Sequence, residues 1–367
     1  MDETTAIDPE EIALKVEGEV ERAYSRYAKG LQALATVDQA RVGQTPKDVI
    51  WTLNKAKLYR YHARVPAERR YPIPLLLVYA LINKPYILDL RPGNSFVEYM
   101  VGQGFDVYLL DWGAPGPEDK GLKFDDYALE YIPRAVRQVL KTSKAKEFSI
   151  LGYCIGSTIV ALYAATRTRA PIRNIILLTA PLDFSSREAS VFSIWLDERY
   201  LDVDKMVDTF GNIPAEVIDL GSKLLKPVEN FLGAYTSLFD RVDDPEAVDA
   251  WQTMNKWVND GVPFAGEAFR QWVKEFYREN KLVKGELELR GQRVDLRNIQ
   301  AALLNVIAER DHIVPPPQSR SIIDLVSSQD KETITIPGGH IGIMAGRGAI
   351  NSLWPKISDW LGKRSHV

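Results

Sequence analysis

The only cysteine of the chain, Cys154, stands in an apolar run that passes between two glycines, with the local sequence Gly152-Tyr-Cys-Ile-Gly156. A strand that enters such a turn and leaves it as a helix holds the central residue in a strained conformation at the end of the sheet. The glycines let neighbouring backbone come close. The pattern predicts that Cys154 is a nucleophile, and a buried structural thiol is the alternative.

A thiol nucleophile needs a base to take its proton and an acid to orient that base. Both kinds of side chain follow predicted strands later in the chain. Asp311 lies in the turn after the apolar run 301–308, and His340 lies in a glycine-rich loop after 333–336. The order nucleophile, acid, histidine recurs in enzymes that carry their nucleophile on a strand-to-helix turn. The sequence therefore predicts that Asp311 and His340 complete a triad with Cys154.

Other residues compete for these two roles. His312 is the rival to His340 because it adjoins Asp311, although sequence neighbours rarely point into the same site. Glu309 is the rival to Asp311, which could alternatively cap a helix. Two further histidines follow no predicted strand and are expected at the surface: His62 and His366.

Donors for a developing oxyanion are expected at two places. The first is the amide of Ile155, directly after the nucleophile, and the second is a backbone amide near Ile82, in the loop after the apolar run 73–79. For Asp111 a turn-capping role is the alternative to a place in the substrate pocket. The candidates for lining that pocket are Asn83, Asp111, Tyr153 and His312.

Composition restricts the class of protein. The 367 residues are 46% hydrophobic and 26% charged, which is typical of a globular protein with a sizeable core. A net charge of −3 offers no polycation for nucleic acid, and one cysteine provides neither an internal disulfide nor a thiol cluster for a metal. The acidic start is unlike a signal peptide, and no apolar run approaches the ~20 residues of a transmembrane helix. We expect a cytoplasmic protein without metal or cofactor.

Short apolar runs alternate with helical patterns and predict an α/β fold. Amphipathic patterns of helix length at 95–102 and 125–140 each begin beside a capping candidate, Asn94 and Asp125. The sequence predicts a mostly parallel sheet with helices on both faces. Five runs resemble its buried strands: 73–79, 106–111, 148–152, 174–179 and 301–308.

The strand pattern stops after residue 184, and helical patterning with many aromatic residues predicts an inserted helical cap over 185–295. The remaining chain divides into an N-terminal helical segment, 1–50, and a discontinuous core, 51–184 and 296–367. An amphipathic helix at 8–35 could pack on its own body, on a partner or on a second copy. The aromatic residues of the cap suit a small core or an acyl-lined channel: Trp195, Phe231, Tyr235, Trp251, Trp257, Phe264, Phe269, Trp272, Phe276 and Tyr277.

Six segments of the chain carry a resemblance to a known family: 82–90 (INKPYILDL), 107–113 (VYLLDWG), 152–156 (GYCIG), 269–293, 311–315 (DHIVP) and 339–342 (GHIG). Taken together they resemble the polyhydroxyalkanoate synthases, and by length the catalytic subunit of the class III type, with class IV next. The family pattern GxCxGG ends in glycine where this chain has Ser157, a small residue that keeps the elbow but alters packing at the helix start. Asp89 matches a family aspartate, to which we assign a structural role.

The resemblance implies an α/β-hydrolase fold and an acyltransferase that polymerises (R)-3-hydroxyacyl-CoA, with 3-hydroxybutyryl-CoA as the expected substrate. It implies an acyl thioester on Cys154, Asp311 and His340 as its triad partners, and the Ile82 and Ile155 amides near the thioester oxygen. It also implies an accessory subunit, homodimerisation and association with cytoplasmic polyester granules. Whether Asp311 or His340 activates the attacking hydroxyl stays open. A thioesterase or polyester depolymerase, and a noncatalytic granule scaffold, are the competing interpretations.

Overall fold

The computed structural model describes residues 9–186, 191–225 and 233–366. The strands in these ranges are Lys47–Leu53 (β1), Ala56–Tyr61 (β2), Leu75–Val78 (β3), Val107–Asp111 (β4), Phe148–Tyr153 (β5), Ile172–Leu178 (β6), Glu288–Leu289 (β7), Gln292–Arg293 (β8), Ala302–Ala308 (β9) and Lys331–Ile336 (β10). Eight of them form one sheet in the order β1-β2-β4-β3-β5-β6-β9-β10. Strand β2 is antiparallel to both of its neighbours, β1 and β4. The neighbouring strands in the rest of this sheet, β4-β3-β5-β6-β9-β10, are parallel.

The helices in the described residues fall into three groups along the chain. Before the cap lie Pro9–Ala35 (α1), Phe96–Gly102 (α2), Phe124–Asp126 (α3), Ile132–Ser143 (α4) and Ile155–Thr166 (α5). The cap contains Val191–Trp195 (α6), Val203–Phe210 (α7), Ala215–Lys223 (α8), Ala234–Asp240 (α9), Pro245–Asn259 (α10), Gly266–Gln271 (α11) and Lys281–Lys284 (α12). Pro316–Arg320 (α13), Ile322–Leu325 (α14), Gly342–Ala345 (α15) and Trp354–Gly362 (α16) follow.

The central strands are continuous apolar runs because both faces of the sheet are covered. Every residue of β3 and β5 is buried, and the five runs predicted from the sequence match β3, β4, β5, β6 and β9 within two residues at each end. The sequence did not predict β1, which has no buried residue and therefore no apolar run. The predicted division at residue 50 falls inside β1, so the N-terminal segment contributes residues to the sheet.

Helices cover both faces of the sheet. The chain moves from β3 to β4 in one direction and from β4 to β5 and β6 in the other, so right-handed crossovers place α2 on one face and α4 and α5 on the opposite face. Helix α16 shares the face of α2, where the ring centroids of Phe96 and Trp354 are 5.8 Å apart. Helix α5 is buried along its whole length, which fits its apolar sequence.

Two helix starts differ from the sequence prediction. Helix α2 is capped by Ser95, whose hydroxyl accepts the amide three residues later at 2.9 Å, and not by Asn94. The side chain of Asn94 instead donates to the carbonyl of Ala345. The helix predicted at 125–140 begins with α3 at Phe124, and the carboxylate of Asp125 accepts a hydrogen bond from the amide of Arg290 at 2.6 Å. Asp125 therefore joins this helix to the end of the cap.

The cap occupies the chain between β6 and β9, and it ends in the short hairpin of β7 and β8, which the sequence did not predict. Aromatic contacts attach it to the core: the ring of Phe124 stacks on that of Trp272 at 5.4 Å and lies 4.9 Å from that of Phe276. These buried rings therefore serve helix packing. Five of the aromatic residues named above are buried: Trp257, Phe264, Trp272, Phe276 and Tyr277. Three are half-buried: Trp195, Trp251 and Phe269. Tyr235 is exposed, and Phe231 lies outside the described residues.

The last turns of α1 pack on the cap. The ring of Tyr27 stacks on that of Phe239 at 6.1 Å, and Arg26 donates a hydrogen bond to the carbonyl of Phe239 at 2.8 Å. The earlier turns carry apolar side chains that are more than half exposed: Leu14, Val16, Val20 and Tyr24. None of the helices in the described ranges is both long and apolar enough to span a bilayer.

Candidate active site

Cys154 lies between the last residue of β5 and the first residue of α5, with φ 55° and ψ −129°. A non-glycine residue in this region pays about 1–3 kcal/mol and stays there only when its surroundings fix it. The amide of Cys154 donates to the carbonyl of Leu178 at 3.0 Å, and the residue is 8% exposed. The turn thus holds the thiol at the carboxyl edge of the sheet, between β5 and α5.

The two glycines of the elbow are required by close backbone contacts. A Cβ on Gly152 would lie 2.4 Å from the Cα of Ser157, and a Cβ on Gly156 would lie 2.4 Å from the carbonyl oxygen of Val78. Neither contact can be relieved by moving a flexible side chain. The second contact also shows that the end of β3, and the loop that follows it, pass directly against the elbow.

Ser157, which replaces the expected glycine, is fully buried in the first turn of α5. Its hydroxyl donates to the carbonyl of Leu178 at 3.1 Å, the same oxygen that accepts the amide of Cys154. Its own amide donates to the carbonyl of Cys154 at 2.8 Å. Since its buried hydroxyl has a partner, the serine ties the elbow to β6 and does not disturb it.

Asp311 follows β9 and His340 follows β10, and because these parallel strands are neighbours their side chains meet at one edge of the sheet. The Nδ1 of His340 lies 2.7 Å from Oδ2 of Asp311. The other oxygen, Oδ1, accepts the amides of Ile313 at 2.9 Å and Val314 at 2.8 Å, and the side chain of Asp311 has no exposed surface. The carboxylate is therefore fixed by its own turn while it orients the imidazole.

The charge of His340 follows from its neighbours. Burial alone lowers the pKa of His340, because a buried imidazolium loses its hydration. The negative charges of Asp311 and Cys154, and hydrogen bonds to both, outweigh burial and raise the pKa of His340 to about 10. At neutral pH the imidazole therefore carries a proton, and its positive charge faces the sulfur of Cys154.

The segments predicted to carry the oxyanion donors follow β5 and β3, which are neighbouring strands of the sheet. Ile155 is the first residue of α5, and amides in the first turn of a helix have no acceptor within it. Ile82 lies in the loop after β3, and the cap holds this loop in place. The carbonyl of Ile82 accepts the amide of Val262 at 3.0 Å, and Nε1 of Trp257 donates to the carbonyl of Lys84 at 2.8 Å. Sequence reasoning named Trp257 only as an aromatic residue of the cap and missed its contact with this loop, because no local signal marks a contact across 173 residues. Val262 was missed altogether.

Two predicted pocket residues have structural contacts. The carboxylate of Asp111 accepts the amide of Gly113 at 3.0 Å, which is the turn-capping alternative. Asn83 forms an antiparallel bridge with Gly261 of the cap. Asp89 also has the structural role assigned to it. It is buried and accepts hydrogen bonds from the hydroxyl of Thr45 at 2.5 Å and from that of Ser95 at 2.7 Å.

Tyr153, the third of the residues predicted to line the pocket, has structural contacts as well. It is 1% exposed, and its hydroxyl donates to the backbone carbonyl of His340 at 2.8 Å. Its side chain therefore packs beneath the site, against the ring of His340.

The rival residues do not form the pair that Asp311 and His340 form. His312 is half-buried, and its sequence neighbour Asp311 contacts the ring of His340. Glu309 is exposed, and so are the two histidines expected at the surface, His62 and His366.

Comparison with known proteins bears on the fold first. The family model of the alpha/beta hydrolase fold matches residues 73–346. Among solved structures, a putative lipase from Sulfolobus solfataricus matches 88% of this chain and 98% of its own, with a TM-score of 0.56 and 13% identity. The structure of DcsB in complex with its substrate analogue gives a TM-score of 0.55 at 14% identity, over 87% of this chain and 99% of its own. The two structures agree with the α/β-hydrolase fold.

Curated relatives are considerably closer in sequence. The polymerase subunit PhaC of Haloferax mediterranei is 41% identical over 90% of this chain and 67% of the relative. The corresponding subunit of Allochromatium vinosum is 37% identical over 93% of this chain and 95% of the relative. That of Synechocystis is 35% identical over 92% of this chain and 90% of the relative. Each is a poly(3-hydroxyalkanoate) polymerase subunit, and the family model of the poly-beta-hydroxybutyrate polymerase (PhaC) N-terminus matches residues 33–100. The chain belongs to the family of poly(3-hydroxyalkanoate) polymerases, acyltransferases with the α/β-hydrolase fold.

Proposed function

We propose that this polymerase acts on (R)-3-hydroxyacyl-CoA with a short acyl chain, such as 3-hydroxybutyryl-CoA, through an acyl thioester on Cys154. The observation that carries the proposal is the strained thiol at φ 55° beside an imidazole whose Nδ1 lies 2.7 Å from a buried carboxylate. A thiolate paired with an imidazolium is poised to attack a thioester without a further base.

In the first step Sγ of the Cys154 thiolate attacks the carbonyl carbon of the acyl-CoA thioester. Negative charge develops on the carbonyl oxygen, where the amides of Ile82 and Ile155 stabilise it. The bond from this carbon to the CoA sulfur then breaks, and the imidazolium of His340 gives its proton to that sulfur. Free CoA leaves, and the acyl group stays activated because one thioester has replaced another.

In the second step neutral His340 takes the proton of the 3-hydroxyl group of an incoming acyl-CoA, whose oxygen attacks the thioester on Cys154. An ester bond forms, the bond to Sγ breaks, and the thiolate and imidazolium are restored. Cys154 then takes back the extended chain from its CoA thioester and releases CoA. The burial of Asp311 supports His340 as the base, because both carboxylate oxygens already accept hydrogen bonds.

A thioesterase or polyester depolymerase would use the same triad with water in place of the hydroxyl group. Water must therefore be kept from the acyl enzyme during polymerisation. The 8% exposure of Cys154 and the packing of the cap's aromatic residues on the core support such exclusion. We further propose, from the resemblance to the class III enzymes, that the chain works with an accessory subunit and a second copy at the surface of cytoplasmic polyester granules.

The test is an assay of the purified protein with 3-hydroxybutyryl-CoA, in which free CoA and insoluble polymer are followed together. It is run with and without an accessory subunit from a class III relative, and with longer acyl chains. Polymer and CoA are expected from the wild type, and neither from Cys154→Ala. Coenzyme release with only soluble 3-hydroxybutyrate would identify a hydrolase, and release that survives Cys154→Ala would exclude this nucleophile.

A further inference from the structure

Tyr153, the residue immediately before the nucleophile, makes two contacts with the catalytic histidine. Its hydroxyl donates to the backbone carbonyl of His340 at 2.8 Å, and the two rings are stacked with centroids 5.4 Å apart and planes 22° apart. On the other side its ring lies 5.5 Å from that of Tyr79, at the end of β3. With 1% of its surface exposed, the tyrosine is held firmly between β3 and the histidine loop.

The histidine loop connects β10 to α15 and needs such a support. Asp311 contacts His340 through Nδ1, and this hydrogen bond by itself lets the ring tilt about it. The hydrogen bond from Tyr153 fixes the backbone from which the imidazole projects, and the stacked ring limits its tilt. The three contacts together determine where Nε2 lies.

We propose that Tyr153 is a positioning residue that sets the imidazole of His340 against the thiol of Cys154. Because Tyr153 and Cys154 are consecutive, the nucleophile and the support of its base are joined by a single peptide unit. A displacement of the elbow therefore moves the histidine loop with it. The inference deepens the proposed function and rests on it, since Cys154 and His340 are its reacting pair.

Other titratable groups around the pair come from separate elements. Asp311 reaches it from the turn after β9, Tyr79 from the end of β3 and Tyr277 from the cap. The test therefore leaves all three unchanged and alters the hydroxyl of Tyr153 alone. Tyr153→Phe keeps the stacked ring and removes the donor to His340.

Alkylation of the full chain by iodoacetamide reports on Cys154 alone, because the sequence has no other cysteine. For Tyr153→Phe we expect the midpoint of the pH profile to rise by about one unit, the change that loss of one buried hydrogen bond gives, so that the rate falls about tenfold at pH values below the wild-type midpoint. In the polymerisation assay we expect kcat to fall and KM for the acyl-CoA to stay the same. Tyr153→Leu also removes the stacked ring and is expected to show a larger change in the same direction.

Tyr108→Phe is the matched control. Tyr108 is equally buried, and its hydroxyl donates to Oδ2 of Asp106 at 2.9 Å, at the opposite end of β4 from the active site. It is expected to lower the melting temperature and to leave the alkylation profile unchanged. A Tyr153→Phe profile that superimposes on the wild type, with a similar loss of melting temperature, would overturn the positioning role. A wild-type profile of an ordinary thiol would instead overturn the proposed Cys154 and His340 pair, and this inference with it.

Discussion

The amide of Val262 in the cap donates a hydrogen bond of 3.0 Å to the carbonyl of Ile82, in the loop proposed to stabilise the oxyanion. A second contact joins the same two segments, where the hydroxyl of Tyr86 donates to Oδ2 of Asp260 at 2.9 Å. Burial and the Asp260 carboxylate hold the pKa of Tyr86 above its usual range, so this donor keeps its proton in alkaline solution. A shift of the cap therefore moves the loop that carries the Ile82 amide.

Trp257→Phe tests this connection, because it removes the indole donor to the carbonyl of Lys84 at 2.8 Å. Loss of one oxyanion donor lowers kcat about 100- to 1000-fold. Loosening the loop without removing its amide should therefore lower kcat roughly tenfold. We expect this fall in the initial rate of CoA release, with little change in KM. Trp354→Phe is the control, because Trp354 is also buried and its Nε1 has no hydrogen-bond partner among the described residues. Equal losses of kcat in the two variants would argue against a connection through the loop.

The charge state of His340 gives a prediction about pH. Because its pKa is raised to about 10, the imidazolium form should persist as the pH rises through the range where an ordinary histidine, with a pKa near 6.5, becomes neutral. In a protein labelled with nitrogen-15 at histidine, the His340 signal should keep the imidazolium shift at about pH 8. The signal is assigned by its loss in His340→Gln. A change to the neutral shift between about pH 6 and about pH 7 would contradict the ion pair.

Asp311→Asn keeps the shape of the side chain and removes its charge. Without this charge His340 binds its proton less tightly, and the amide group can select the wrong tautomer, so we expect kcat to fall by about 10²- to 10⁴-fold. Alkylation of Cys154 at neutral pH should slow in parallel. Asp89→Asn is the control, because Asp89 is also a buried carboxylate, with Nζ of Lys47 3.5 Å away. This variant should unfold at a lower denaturant concentration and alkylate at the wild-type rate once folded.

The sequence predicted those features that depend on order along the chain. The buried strands appear as apolar runs, and because β9 and β10 are neighbours, residues that follow them meet at one edge, which brings Asp311 to His340. Contacts between distant segments had no such signal. The bond from Tyr153 to His340 spans 187 residues, and the tyrosine was therefore assigned to the pocket. Strand β1 was missed because none of its residues is buried.

Ser157 stands at the position where this chain departs from the family pattern. Ser157→Ala removes the hydroxyl that donates to the carbonyl of Leu178 and should lower the free energy of unfolding by about 1 kcal/mol. Ser157→Gly restores the family residue and should cost up to about 1 kcal/mol more, because glycine loses more backbone freedom in a helix.

In both Ser157 variants kcat should stay close to the wild-type value, since the amide of Cys154 still donates to Leu178 and the elbow keeps its shape. Urea denaturation measures the stability, and the initial rate of CoA release measures the activity. A large loss of kcat in Ser157→Ala with unchanged stability would mean that the hydroxyl takes part in the chemistry. A loss of both in proportion would mean that the elbow itself depends on its bond to β6.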